Sequence, residues 1–263
     1  MKTRLYIISG KGGTGKTSIA MALTKLLREQ GKNALYTAFD HEVDFELANN
    51  LNIPFFNTTV EKSCEKYIEL KLKSKTIANW IMKTPFFKAL FSILPSLGSM
   101  ILLGHYIKEL QDNSDLIIVL DSPATGHAKS MIDATYNFKE IFKTGVLVED
   151  IHKMHEFLFN PKNVKSFICS LPTEMSLQEA GELKQFMLSK GYENTSIILN
   201  NFIQQTSNST GKLDFLNHKY ELEKNIIEDF AKTNPIEYKI PKVFCHSTAE
   251  IVKQKYQLLE AFI

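Results

Sequence analysis

The sequence predicts an α/β fold, a doubly wound, mainly parallel sheet flanked by helices with an inserted helical subdomain. Three observations carry this expectation. Short apolar, β-branched runs alternate with helix-length amphipathic stretches. Several of those runs are apolar on both faces, as buried parallel strands are. A glycine-rich loop joins the first run to the first amphipathic stretch, at the point where a doubly wound sheet keeps its binding crevice. With 263 residues, 44% of them hydrophobic and 23% charged, the chain suits one folded domain over 1–263 and excludes a disordered or collagen-like polymer.

The elements follow in order. Leu5 to Ser9 is the first strand, and Ser18 to Gln30 sets Ile19, Leu23, Leu26 and Leu27 at helical spacing before a stop at Gly31. Further strands are expected at Ala34–Phe39, Leu116–Leu120, Val164–Cys169, Thr195–Leu199 and Ile236–Ile240. Helical patterns run from Leu177 to Ser189, opened by Thr173-Glu174-Met175-Ser176, then from Lys219 to Ala231 and from Ala249 to Phe262. Two stretches break the rhythm. Leu51 to Gln111 carries several helix-length apolar segments without a convincing strand, the expected insertion at about 51–111. Ile203 to His218 is rich in Gln, Ser, Asn and Thr and reads as a surface loop.

Charge and cysteine content narrow the function classes. Thirty-one Lys+Arg against 29 Asp+Glu leave a net charge of +2, so nothing draws the whole chain to nucleic acid, and no nucleic-acid partner is expected. Cys64, Cys169 and Cys245 lie far apart with no C-x-x-C pair, which argues against a disulfide framework or a cysteine-rich zinc site. The N-terminal apolar run leads straight into glycines and lacks the longer apolar stretch of a signal peptide. A reducing cytoplasm is the expected location.

Gly10-Lys11-Gly12-Gly13-Thr14-Gly15-Lys16-Thr17 satisfies G-x-x-x-x-G-K-[ST] between an expected strand and an expected helix. Gly10, Gly12, Gly13 and Gly15 let the backbone curl, so that the amides of the loop, Thr14 included, point at phosphate oxygens with the positive end of the helix dipole behind them. Lys16 is expected to reach the β- and γ-phosphates, and Ser18 to complete the cradle. Thr17 is expected to bind Mg²⁺, a hard cation that prefers oxygen ligands and bridges nucleotide phosphates. Leu116 to Asp121 is an apolar strand ending in a carboxylate, which suits Asp121 to support that Mg²⁺, through water. ATP and Mg²⁺ are the expected cofactors.

The lysine after the first glycine makes this loop similar to the deviant Walker A sequence of the MinD/ParA and arsenite-pump ATPases. In that class the residue matching Lys11 crosses a dimer interface to touch the partner's nucleotide, so the resemblance implies a homodimer, or a heterodimer with a paralogue. Asp121-Ser122-Pro123-Ala124-Thr125-Gly126-His127 resembles the D-T-A-P-T-G-H switch of the arsenite-pump family, which includes the eukaryotic tail-anchored-protein targeting ATPase. The resemblance implies that Thr125 and Gly126 sense the γ-phosphate and that His127 passes the change on as a switch residue, not a base. The family's first switch, like S-T-D-P-A-H-x-L-x-D, ends in an Asp that orients the attacking water. Here the chain reads Tyr36-Thr37-Ala38-Phe39-Asp40-His41-Glu42-Val43-Asp44-Phe45. Aligning His41 with the family histidine puts Phe45 at the catalytic position, whereas a one-residue slip puts Asp44 there. Asp44 is the expected catalytic residue, and Asp40 is the other carboxylate in range. Asn200, ahead of Asn201, resembles the family's strand-terminal Asn that reads adenine.

The insertion contains the uncharged apolar run Ala89–Leu103, interrupted by Pro95 and too short to be a membrane span. It is either a buried hairpin or, with Trp80, Met82 and Phe86, a hydrophobic surface over 77–104 for a protein client, matching where the targeting ATPase carries its client-binding subdomain. The family's zinc-clasping C-x-x-C and arsenite-site cysteines are absent, so neither site is expected. The expected function is a dimeric switch ATPase that couples nucleotide state to a partner. Its rivals are a membrane-surface positioning ATPase like MinD, with Lys253 and Lys255 as the only cations from Ile251 to Ile263, a nucleotide-holding module with weak hydrolysis, and a P-loop small-molecule kinase. Membrane contact is at most peripheral.

Overall fold

The computed structural model describes residues 3–39, 42–93, 96–141, 146–205 and 214–260. Six strands, β1 (Leu5–Gly10), β2 (Asn33–Ala38), β3 (Leu116–Ala124), β4 (Val164–Ser170), β5 (Thr195–Phe202) and β6 (Tyr238–Pro241), form one sheet in the order β2-β3-β1-β4-β5-β6. Every neighbouring pair is parallel. From β1 the chain runs out to the edge strand β2, returns to β3, then crosses to β4 and on to β5 and β6, which leaves the loop after β1 at the switch point of the sheet.

The alternation of side chains along each strand divides the core in two. Leu5 and Ile7 of β1, with Ile118 and Leu120 of β3, face a layer built from Leu103 and Ile107 of α6 (Ser96–Asp112), Met131 of α7 (Thr125–Ile141), Met154 of α8 (Val146–Leu158) and Leu183 of α9 (Glu174–Ser189). Tyr6 and Ile8, with Ile117 and Val119, face Ile19, Leu23 and Leu27 of α1 (Lys16–Glu29) and Val252 and Leu259 of α11 (Thr248–Leu259). The double apolar coverage explains why these strands read as continuous hydrophobic runs rather than alternating ones.

Between β2 and β3 the chain forms α2 (Phe45–Asn50), α3 (Val60–Leu72), α4 (Lys75–Lys83), α5 (Pro85–Ile93) and α6. Polar side chains start three of these: Asp44, Thr59 and Ser74 each accept the amide of the third residue on. α6 belongs to the sheet's own core, since Leu102, Leu103, Tyr106 and Leu110 are buried against it. Arg4 fastens the end of α6 to β3, donating to the carbonyls of Leu110 (2.7 Å) and Leu116 (2.6 Å).

Three expectations are corrected at element ends. β3 does not stop at Asp121, because Ala124 pairs with Gly10 across a register shift and carries the ladder beyond the carboxylate. α10 (Asp214–Ala231) begins ahead of Lys219, so 214–218 are helical rather than loop; 206–213 lie outside the described residues. β6 is shifted toward Pro241 by its pairing with β5. No single helix among the described residues is long and apolar enough to cross a membrane.

Candidate nucleotide site

The loop after β1 is walled by β4 at its first glycine and open at Gly13. Gly10 (φ +136°) sits so close to β4 that a Cβ would fall inside the Cys169 carbonyl, while Gly13 (φ +80°) faces open space. Gly15 (φ +87°) ends the loop in the left-handed region, which glycine adopts at no steric cost, and is the N-cap of α1. Inside the curl, Thr14 Oγ1 and Lys16 Nζ both donate to the Lys11 carbonyl, at 2.8 and 3.3 Å. The Thr14 amide also turns inward to the Lys11 carbonyl, at 3.4 Å, and the loop ends at the N-terminus of the fourteen-residue α1, where a helix favours an anion.

The oxygen donors expected for Mg²⁺ meet beside it. Thr17 Oγ1 donates to Asp121 Oδ2 at 2.6 Å, and the Tyr36 hydroxyl donates to the same oxygen at 3.0 Å. Asp121 is fully buried. The Tyr36 phenol is pushed up, first by burial and then by Asp121 and the more distant charge of Asp44, so it stays a donor at any physiological pH. A hydroxyl and a carboxylate at this separation fit a hard cation, which would take the hydroxyl oxygen directly and the carboxylate through a water.

After Asp121, the hydroxyls of Ser122 and Thr125 are buried with no hydrogen-bond partner among the described residues. Thr125 and Gly126 start α7 directly at the end of β3, and His127 follows in its first turn. Asp44 is exposed, and its Oδ1 caps α2 by accepting from Leu47 N at 2.9 Å. Asp40 lies outside the described residues.

Two predicted residues have partners the sequence did not reveal. Lys11 pairs with Glu179 of α9 in its own chain at 2.6 Å and touches Met175 Sδ at 2.9 Å. Asn200 is fully buried, donating through Nδ2 to the Thr14 carbonyl (2.7 Å) and accepting through Oδ1 from Lys255 Nζ (2.9 Å). Its amide thus ties Lys255 of α11 to the loop at Thr14. Lys255 shares the inward face of α11 with Val252 and Leu259, so it adds nothing to a basic membrane-facing surface there. Tyr36 and Lys255 were missed as site residues. The available signals were a phenol in an otherwise apolar strand and a lysine at an apolar helical position.

A nucleotide-binding P-loop at the switch point of a parallel sheet is the arrangement of the P-loop ATPases. Residues 5–236 match the CobQ/CobB/MinD/ParA nucleotide binding domain, and the chain belongs to that family. It is similar to arsenical pump-driving ATPase 1 of Aquifex aeolicus (strain VF5), 22% identical over 90% of this chain and 74% of that protein. It is also similar to the arsenical pump-driving ATPase of Escherichia coli, 24% identical over 75% of this chain and 34% of that protein. A second Aquifex aeolicus pump-driving ATPase is 24% identical over 61% of this chain and 57% of its own length. The resemblance read from the phosphate loop and the D-S-P-A-T-G-H segment is borne out: this is an arsenite-pump-like P-loop ATPase family member, with the ATP use that family implies.

Proposed function

We propose that the chain is a Mg²⁺-dependent ATPase that works as a dimer, with itself or a paralogue, and couples nucleotide state to binding of an apolar segment of a protein client. The observation that carries the nucleotide half is the 2.6 Å contact of Thr17 with Asp121 at the mouth of the loop. Lys16 swings from the Lys11 carbonyl to the β- and γ-phosphates. Thr17 would hold Mg²⁺ directly and Asp121 through a water, with Tyr36 fixing the carboxylate. Magnesium bound there would neutralise charge on the transferring phosphoryl group. Asp44 orients the attacking water through the carboxylate oxygen that Leu47 does not engage. The orphaned hydroxyls of Ser122 and Thr125 favour a switch completed by the γ-phosphate. Lys11 acts in trans, after leaving Glu179.

The client half rests on the insertion. Trp80, Phe86 and Ile93 are 69%, 78% and 74% exposed, and a cavity of about 520 Å³ opens among Phe87, Leu97, Met100 and Ile101. Apolar surface of this kind on a helical unit suits an amphipathic or apolar helix. A relay to it starts at β2, where Thr37 Oγ1 donates to the Tyr106 hydroxyl of α6 at 3.0 Å.

ATP turnover with and without Mg²⁺, for wild type, Lys16→Ala and Asp121→Asn, tests the first half. Mg²⁺-dependent turnover that falls at least about a hundredfold in each variant is expected. Turnover indifferent to Mg²⁺ or to either residue would overturn it. For the client half, photo-crosslinking of an apolar helical peptide to the insertion should depend on nucleotide state and weaken in Trp80→Ser.

A further inference from the structure

Lys255 is 1% exposed, a cation inside the protein. Its ammonium donates to Asn200 Oδ1 at 2.9 Å and to Ser18 Oγ at 3.3 Å, both neutral acceptors. Among the described residues it forms no ion pair within 4.0 Å, whereas a buried charge ordinarily survives only with a partner. The titratable groups facing it are few. From β4 comes the Cys169 thiol, pushed up to about 12 by burial, and that thiol also feels Lys16 of α1 and Asp121 of β3. Burial lowers the ammonium itself to about 8, with Cys169 opposing the shift.

Its position relates it to the phosphate loop. A Cβ built on Gly15 would stand 3.5 Å from Lys255 Nζ, so the charge lies directly behind the last glycine of the cradle. Ser18, which it touches, is one residue past Thr17 at the start of α1. Lys16, the lysine of the loop itself, reaches the Lys11 carbonyl instead.

We infer that Lys255 is a further cation of the nucleotide site, held behind the loop without a counter-charge until a nucleoside di- or triphosphate supplies one. The inference rests on the nucleotide reading proposed above. Lys255 contributes binding energy through a low-dielectric layer and through Ser18 and Asn200, without touching the reacting atoms. Lys16 is the residue expected at the β- and γ-phosphates, so its loss weakens ATP more than ADP, whereas the charge behind Gly15 and Ser18 serves the phosphates that both nucleotides share.

The test is calorimetric titration of ADP and ATP into wild type, Lys255→Met and Lys255→Gln, each first checked for folding by circular dichroism. Both variants remove the charge, and glutamine keeps a donor for Asn200 should methionine not fold. Affinity for both nucleotides should fall about tenfold or more. The ligand-free Lys255→Met Tm should equal or exceed that of wild type, since an unpaired buried charge has gone. Wild type should also take up a fraction of a proton on binding ADP at pH 8, read from buffers of different ionisation enthalpy, and the variants none. Unchanged affinities, or a lowered Tm with unchanged affinities, would overturn the inference and leave Lys255 a packing residue. Wild type binding neither nucleotide would overturn the nucleotide reading itself and the inference with it.

Discussion

At the residue scale, Gly10 at the start of the phosphate loop and Lys255 behind its last glycine each carry a measurable signature. Gly10 combines φ +136° with a carbonyl where its Cβ would be. Gly10→Ala should therefore lose at least about 2 kcal/mol in urea denaturation, against about 1 kcal/mol for Gly13→Ala, where nothing lies within 4 Å. Equal losses would mean that the loop does not press on β4. Lys255 gives a pH signature. Its folded value of about 8 lies below the 10.5 of a free lysine, so the unfolded chain binds more protons between those values and stability rises with pH across that interval. Below about pH 8 the stabilisation is absent. Above about pH 9 the unfolded Cys169 begins to lose its proton while the buried thiol keeps it, which opposes the rise. Between pH 7.5 and 9, wild type should gain about 1 kcal/mol more than Lys255→Met in chemical denaturation. An identical pH response in the two proteins would show that the ammonium is not shielded.

At the scale of elements, the insertion contains two kinds of apolar residue that sequence alone did not separate. Leu103 of α6 is fully buried in the sheet core, whereas Trp80 of α4 is 69% exposed. Leu103→Ala should cost about 2–5 kcal/mol and Trp80→Ser within about 0.5 kcal/mol, measured by thermal or urea unfolding. A large loss at Trp80 would make that surface part of the core. The legible part of the fold was what periodicity and glycine punctuation encode: all six strands, α1 and α9 were readable because their apolar spacing is set locally. The ends of β3 and β6 were not, since partner register decides them, as Ala124 on Gly10 does for β3. In the site, Gly10 to Thr17 and Asp121 were legible because phosphate and metal chemistry fix residue type and spacing. Tyr36, Lys255 and Glu179 were not, because each enters through a tertiary contact from a distant element.

At the scale of the whole molecule, the proposed function makes assembly the switch. Lys11 is held in its own chain by Glu179, an ion pair with both side chains about one-third exposed, which holds the cation only weakly. The nucleotide mouth is tied to the insertion through β2, with Tyr36 on Asp121 and Thr37 on Tyr106. In the proposed dimer, delivery of Lys11 in trans would make hydrolysis depend on a second subunit, and the β2 contacts would give the insertion access to the result. The central claim is best tested by ATP hydrolysis per protomer over a wide range of protein concentration, with Mg²⁺, for wild type and Lys11→Ala. A specific rate that climbs with concentration and collapses in the variant is expected. A rate that is flat with concentration and unaffected by Lys11→Ala would contradict it.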